Sequence, residues 1–224
     1  MVCNIGFRST SYERISIPPY LPEVLRERKK APVIDSDLLK KLGSEDSALA
    51  SNLKTLNIKP LVEEALRRLK AKGAVPSGIR LTIGSGGNLE ASASEDDATR
   101  RQLREVIAGW EMEIYGIAAE LLGYTVQIQR TNAGFKLGGA KNQSGTDLPA
   151  TIQVTMSPDD GAEVKFEHFA SEEEIRAENV RWAALVQIMG GRPPVREIRI
   201  SGAPIGAPPV GGHHRHDQYG RHVN

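Results

Sequence analysis

The side chains best suited to chemistry lie far apart in this chain. His168 follows Glu167 in an alternating apolar stretch. Acid–base or nucleophilic catalysis needs an imidazole beside a carboxylate, hydroxyl or thiol, and no spacing around His168 recommends such a partner. It reads as a hydrogen-bonded core histidine. Glu172, Glu173, Glu174 and Glu178 carry metal-binding atoms, but neighbouring helical positions do not converge on one ion. Acids in a first turn are explained by the helix dipole. His213, His214, His216 and His222 are transition-metal ligands by type, yet they fall in a terminal Gly/Pro-rich run with no scaffold to hold them together.

Anion-binding features are similarly diffuse. Gly84-Ser85-Gly86-Gly87-Asn88 resembles a phosphate loop only in composition. Such a loop passes from a strand directly into a helix, whereas the residues that follow alternate like a second strand, so a hairpin turn is expected. The basic runs Arg26, Arg28, Lys29, Lys30 and Arg67, Arg68, Lys70, Lys72 fall near expected helix C-termini, where cations suit the dipole. Lys136, Lys141, Asn142 and Gln143 lie in the polar, Gly-rich stretch Thr131 to Asp147, read as a long connection with a minor capacity for anions. The sequence therefore assigns no catalytic residue, no cofactor and no metal site.

These residues must be held by a scaffold whose main element is a long helix. Ser94 is placed to cap it, and Glu95, Asp96 and Asp97 suit its positive end. Leu103, Val106, Ile107, Trp110, Ile114, Ile117, Ala118 and Leu121 then recur at three- and four-residue spacing. That is an apolar face roughly seven turns long, with Gly123 as its stop. Met112, Tyr115, Ala119 and Leu122 form a second stripe on the C-terminal half. This stripe reads either as burial on two sides or as a partner or self-association surface, and it is the candidate site of the sequence. Gly109 and Gly116, near the polar face, each weaken the helix by about 1 kcal/mol relative to Ala unless close approach requires them.

Other segments supply the surroundings. Ser44 is expected to cap a helix through Leu56, and Pro60 to open one ending before Gly73. Ile79, Leu81 and Ile83 pair naturally with Leu89, Ala91 and Ala93 as a hairpin. Tyr124, Val126 and Ile128 form a strand. Ile152 to Met156 turns through Ser157-Pro158-Asp159-Asp160-Gly161 into Ala162, Val164, Phe166 and His168. Ser171 and Glu174 form a capping box for a helix bearing Ile175, Trp182, Leu185, Val186 and Met189, and Ile198 and Ile200 end the folded part. Clustered hairpins favour an α+β fold: an antiparallel sheet packed against the long central helix and a second, C-terminal helix, with helices toward the N-terminus. The expected organisation is an irregular arm at 1–34, one domain at 35–200 and a disordered Gly/Pro/His-rich tail at 201–224.

Composition narrows the function classes. A net charge of +1 and 5% aromatic residues argue against a nucleic-acid partner. No apolar run approaches the roughly 20 residues of a membrane span. Cys3, the single cysteine, makes an intramolecular disulfide impossible, and a cytoplasmic protein is expected, with export lacking a cleavable signal as the alternative. The leading expectation is a non-enzymatic interaction, adaptor or assembly protein with a protein partner or a homo-oligomeric state. An enzyme with dispersed catalytic residues, or a secretion-apparatus substrate or accessory protein, is the second reading.

Overall fold

The computed structural model describes residues 6–13, 40, 42–44, 46–53, 55–84, 89–93, 97–143, 148–158, 161–194 and 198–202. The expectations for Arg26 to Lys30, Gly86, Ser94 and the histidine-rich end lie outside these residues. Helix α1 spans Ser47–Leu53, α2 Lys59–Ala71, α3 Asp97–Leu121 and α4 Glu172–Ile188. Among the described residues eight strands accompany them: β1 Phe7–Glu13, β2 Ile79–Ile83, β3 Leu89–Ala93, β4 Thr125–Thr131, β5 Gly134–Lys141, β6 Ala150–Ser157, β7 Gly161–Phe169 and β8 Ile198–Ser201.

The fold is α+β. Six antiparallel strands form one sheet in the order β4-β5-β6-β7-β1-β8, and β2 and β3 form a separate two-stranded hairpin. One sheet face carries Leu137, Ile152, Val154, Met156, Val164 and Phe166, all buried, and α3 and α4 pack across it. The other face carries Gln127, Gln129, Lys136, Gln153 and Thr155, all exposed. This alternation is what an antiparallel sheet covered on one side requires.

Helix α3 is the centre of the core. Every residue from Ala108 to Ala119 is buried, because β4, β5 and β6, α4 and α2 surround it. The first apolar seam behaves as expected as far as Ala118, but Leu121 is 48% exposed: the helix outruns its cover at the last residue. The two glycines explain how the layers come so close. A Cβ on Gly109 would stand 2.9 Å from Leu69 Cδ1 and 3.1 Å from Phe135 Cζ, and one on Gly116 would stand 2.9 Å from Ile128 Cδ1.

Several expectations need correction. The expected irregular arm at 1–34 contains β1, a strand inside the main sheet between β7 and β8. Its core-facing positions include Ser9 and Ser11, so no apolar alternation marks it; Asn179 Nδ2 of α4 donates to Ser9 Oγ at 2.8 Å and satisfies the buried hydroxyl. The expected connection from Thr131 to Asp147 contains β5, in continuous register with both β4 and β6. Asp46, not Ser44, caps α1, its Oδ1 accepting from Leu49 N at 2.9 Å. The capping box at α4 forms as expected on one side, Ser171 Oγ accepting from Glu174 N at 3.1 Å, but the Glu174 carboxylate reaches Ala170 N at 3.3 Å.

His168 departs from its strand face. Between Phe7 and Ser9 the pairing of β1 with β7 shifts register, Phe7 facing Phe169 and Ser9 facing Phe166. The extra residue on β7 is absorbed by His168 at φ +70°, a β-bulge in a conformation that histidine tolerates better than branched residues do. Phe169 consequently takes the buried position and His168 is half-buried. Its Nδ1 stands 3.2 Å from the Pro149 carbonyl oxygen, at which the Nδ1–H tautomer donates.

Candidate functional site

The expected partner stripe does not form a surface. Met112, Tyr115 and Ala119 have no solvent exposure, and Leu122 is half-buried against the same core. Tyr115 packs edge-on against Trp182 of α4, with ring centroids 5.1 Å apart, and its hydroxyl donates to Arg192 O at 2.5 Å. The stripe is apolar because α4 covers it. Its correct reading is burial on two sides within one chain.

The cations at the end of α2 are likewise internal to the fold. Arg67 and Arg68 both donate to Glu64, and Arg68 also grips Glu120 of α3 at 2.7 and 2.9 Å. Those two guanidinium hydrogen bonds hold the Glu64 carboxyl down at about 2. Lys72 pairs with the buried carboxylate of Glu113. Lys141 at the end of β5 pairs with Glu178 of α4, whose side chain is 4% exposed, and sits 4.6 Å from the centroid of the Tyr124 ring. Arg181 joins this group, 3.1 Å from Asp46 and 3.5 Å from Glu178. Burial first, and then the negative charge of Glu178, push the Tyr124 hydroxyl far above the usual phenol range. This cluster ties β5, α4 and the start of α1 together. Glu172 pairs with Arg176 and Glu174 caps the helix, so the four acids do not meet, and no group of three metal-binding side chains occurs among the described residues.

One solvent-open cleft combines segments that sequence reasoning did not connect. Arg101 and Arg104, three residues apart, project from one face of α3 near its start. Arg130 ends β4, and Asn132-Ala133 turns into β5. Ser157 and Pro158 close the far side, around a solvent-open cleft of about 550 Å³. Phe135 forms part of its floor. Glu105 is the carboxylate among these lining residues, and it meets Arg130 at 2.5 Å; both side chains are about half exposed. Arg101 is exposed and has no hydrogen bond or ion pair among the described residues. A second cleft of about 330 Å³ shares Thr131, Ala133, Phe135 and Ser157 and continues round the turn to Lys136 and Glu163.

Like charges three apart on a helix repel, so the pair Arg101 and Arg104 is the signal the sequence offered for this site, while Asp97 and Glu105, four residues to either side of Arg101, offset part of that repulsion. Chemically, these guanidinium groups, with Arg130 shared with Glu105 and Arg104 already partnered, favour recognition of carboxylates or other oxyanions through the N–H donors they keep. The described lining side chains include no histidine, cysteine or lysine. Comparison with protein-family models, with curated proteins and with solved structures finds no match to this chain.

Proposed function

We propose that this is a non-enzymatic binding protein that captures an acidic segment of a partner protein in the cleft between α3 and the β4–β5 turn. The observation that carries this reading is the charge of the described lining: Arg101, Arg104 and Arg130, with Glu105 the carboxylate among the described lining residues. The arginines stand on a helix and a strand rather than on a free loop, so the donors are already in place when the ligand arrives. An interaction or adaptor role in the cytoplasm, where a single thiol and no disulfide suffice, accords with it. Half-exposed Arg130 and exposed Arg101 can be altered without disturbing the core.

The test is fluorescence anisotropy with a labelled eight-residue Thr–Glu alternating peptide, run beside a labelled mixed-sequence RNA. Wild type is expected to bind the peptide with an affinity that falls as salt rises. Arg101→Glu combined with Arg130→Glu is expected to weaken binding at least tenfold, about 1.4 kcal/mol. Equal binding by wild type and this double variant, or RNA bound tightly in place of the peptide, refutes the reading.

A further inference from the structure

We infer that the acidic segment is taken up as an added strand on the outer edge of β4, making a seventh strand of the main sheet; this rests on the cleft reading above. Strand β4 ends the sheet on one side, and no described strand pairs with its outer edge. Every second residue of an edge strand turns its N–H and C=O groups away from its neighbour. Proteins usually protect such an edge with proline, lysine, a bulge or a very short strand. The opposite edge, β8, is four residues long. By contrast β4 runs for seven residues, Thr-Val-Gln-Ile-Gln-Arg-Thr, in unbroken register with β5 and without proline or lysine.

Burial along the sheet points to the same place. The core-facing residues of β5 and β6, such as Leu137 and Val154, are sealed, whereas Val126 and Ile128 of β4 are only half-buried. A strand added alongside β4 would shield the open flank of these two residues. Charge then selects the occupant. The C-terminal end of β4 carries Arg130 directly into the cleft where Arg101 and Arg104 stand. An extended peptide with acids at alternate positions places every carboxylate on one face, and that face can meet the guanidinium groups while the backbone pairs with β4. Backbone pairing provides general affinity and alternate side chains provide selection, as in other strand-addition complexes.

The experiment uses the full chain, the same Thr–Glu peptide, and a second version methylated on every backbone nitrogen. Methylation keeps the charges and removes every N–H donor. Strand addition is expected to weaken binding of the methylated peptide at least tenfold. The parent peptide is also expected to slow hydrogen exchange at alternate amides of β4, with little change in β6. If both peptides bind equally, still depend on Arg101 and Arg130, and leave β4 exchange unchanged, strand addition is overturned while capture by the cleft stands. If the parent peptide does not bind at all, both fall. Self-association of the protein that protects the same β4 amides as concentration rises overturns the inference, because the edge then belongs to a second copy.

Discussion

Tyr115 decides whether the second stripe of α3 belongs to the core or to a partner. Its ring has no solvent exposure, meets Trp182 edge-on, and its hydroxyl donates to a backbone carbonyl at Arg192. Tyr115→Phe keeps the ring and removes one hydrogen bond, a loss of about 1 kcal/mol. Tyr115→Ala also removes the ring, and large-to-small changes of buried aromatics cost about 3–5 kcal/mol. For a domain of this size each kcal/mol corresponds to roughly 2–4 °C in Tm, so Tyr115→Ala should melt about 6–20 °C below wild type. Tyr115→Phe should fall within about 4 °C. Thermal and urea unfolding followed by circular dichroism read the stability, and light scattering reads the oligomeric size. A Tyr115→Ala protein within about 1 kcal/mol of wild type in stability but altered in oligomeric state would refute the core assignment.

Two further substitutions test other parts of the packing. Gly109→Ala and Gly116→Ala gain the same helical propensity, about 1 kcal/mol, but should differ in sign. At Gly116 the added methyl meets the tip of half-buried Ile128, which can turn aside, so stability should stay level or rise. At Gly109 it meets both Leu69 and Phe135 in a sealed site, and overpacking of about 1–3 kcal/mol should outweigh the gain; urea midpoints that move together would sink this. The Glu64 carboxyl is held at about 2 by Arg67 and Arg68, below its unfolded value near 4.3. Its contribution is therefore present above about pH 4.3 and is lost as pH falls through about 2. Solvent screening limits it to less than about 1 kcal/mol. A carboxyl-carbon NMR titration should show no protonation of Glu64 down to about pH 3, and a midpoint near 4 would contradict the geometry.

The parts of the fold that the sequence disclosed are those where one period runs unbroken. The seam of α3, the capping box of α4 and the β6–β7 turn each satisfy several local rules at once. Strand β1 was hidden because its core-facing positions carry Ser9 and Ser11, and the residue that makes them acceptable, Asn179, lies 170 positions from Ser9. Strand β5 was hidden by its glycines. Gly139 faces the core, and a Cβ there would stand 2.9 Å from Ile152 Cγ2, so close packing removed the very side chain that would have marked the alternation. The stripe from Met112 to Leu122 raised a different problem. Apolar spacing reports that a face is buried, not whether its cover comes from the same chain.

The contrast between two sets of arginines carries the functional argument furthest. Arg67 and Arg68 sit at the end of α2, where the dipole favours them, and Glu64 and Glu120 accept their donors. Those two carboxylates hold Arg68 as a brace between α2 and α3. Arg101 sits in the second turn of α3, one turn before a second arginine, with no such brace among the described residues. An exposed guanidinium that no described contact explains is the kind of exception found at functional sites. It also stands beside the least protected strand edge of the sheet. Charge and unpaired backbone thus converge on the same corner of the molecule, and an acidic, extended segment is the chemistry that answers both. Replacing Glu105 by Gln sharpens the point: it frees Arg130 from an exposed pair worth little to stability. Peptide affinity should rise severalfold in the Glu105→Gln protein while its Tm stays within about 2 °C of wild type, and a fall in affinity would place the recognition elsewhere.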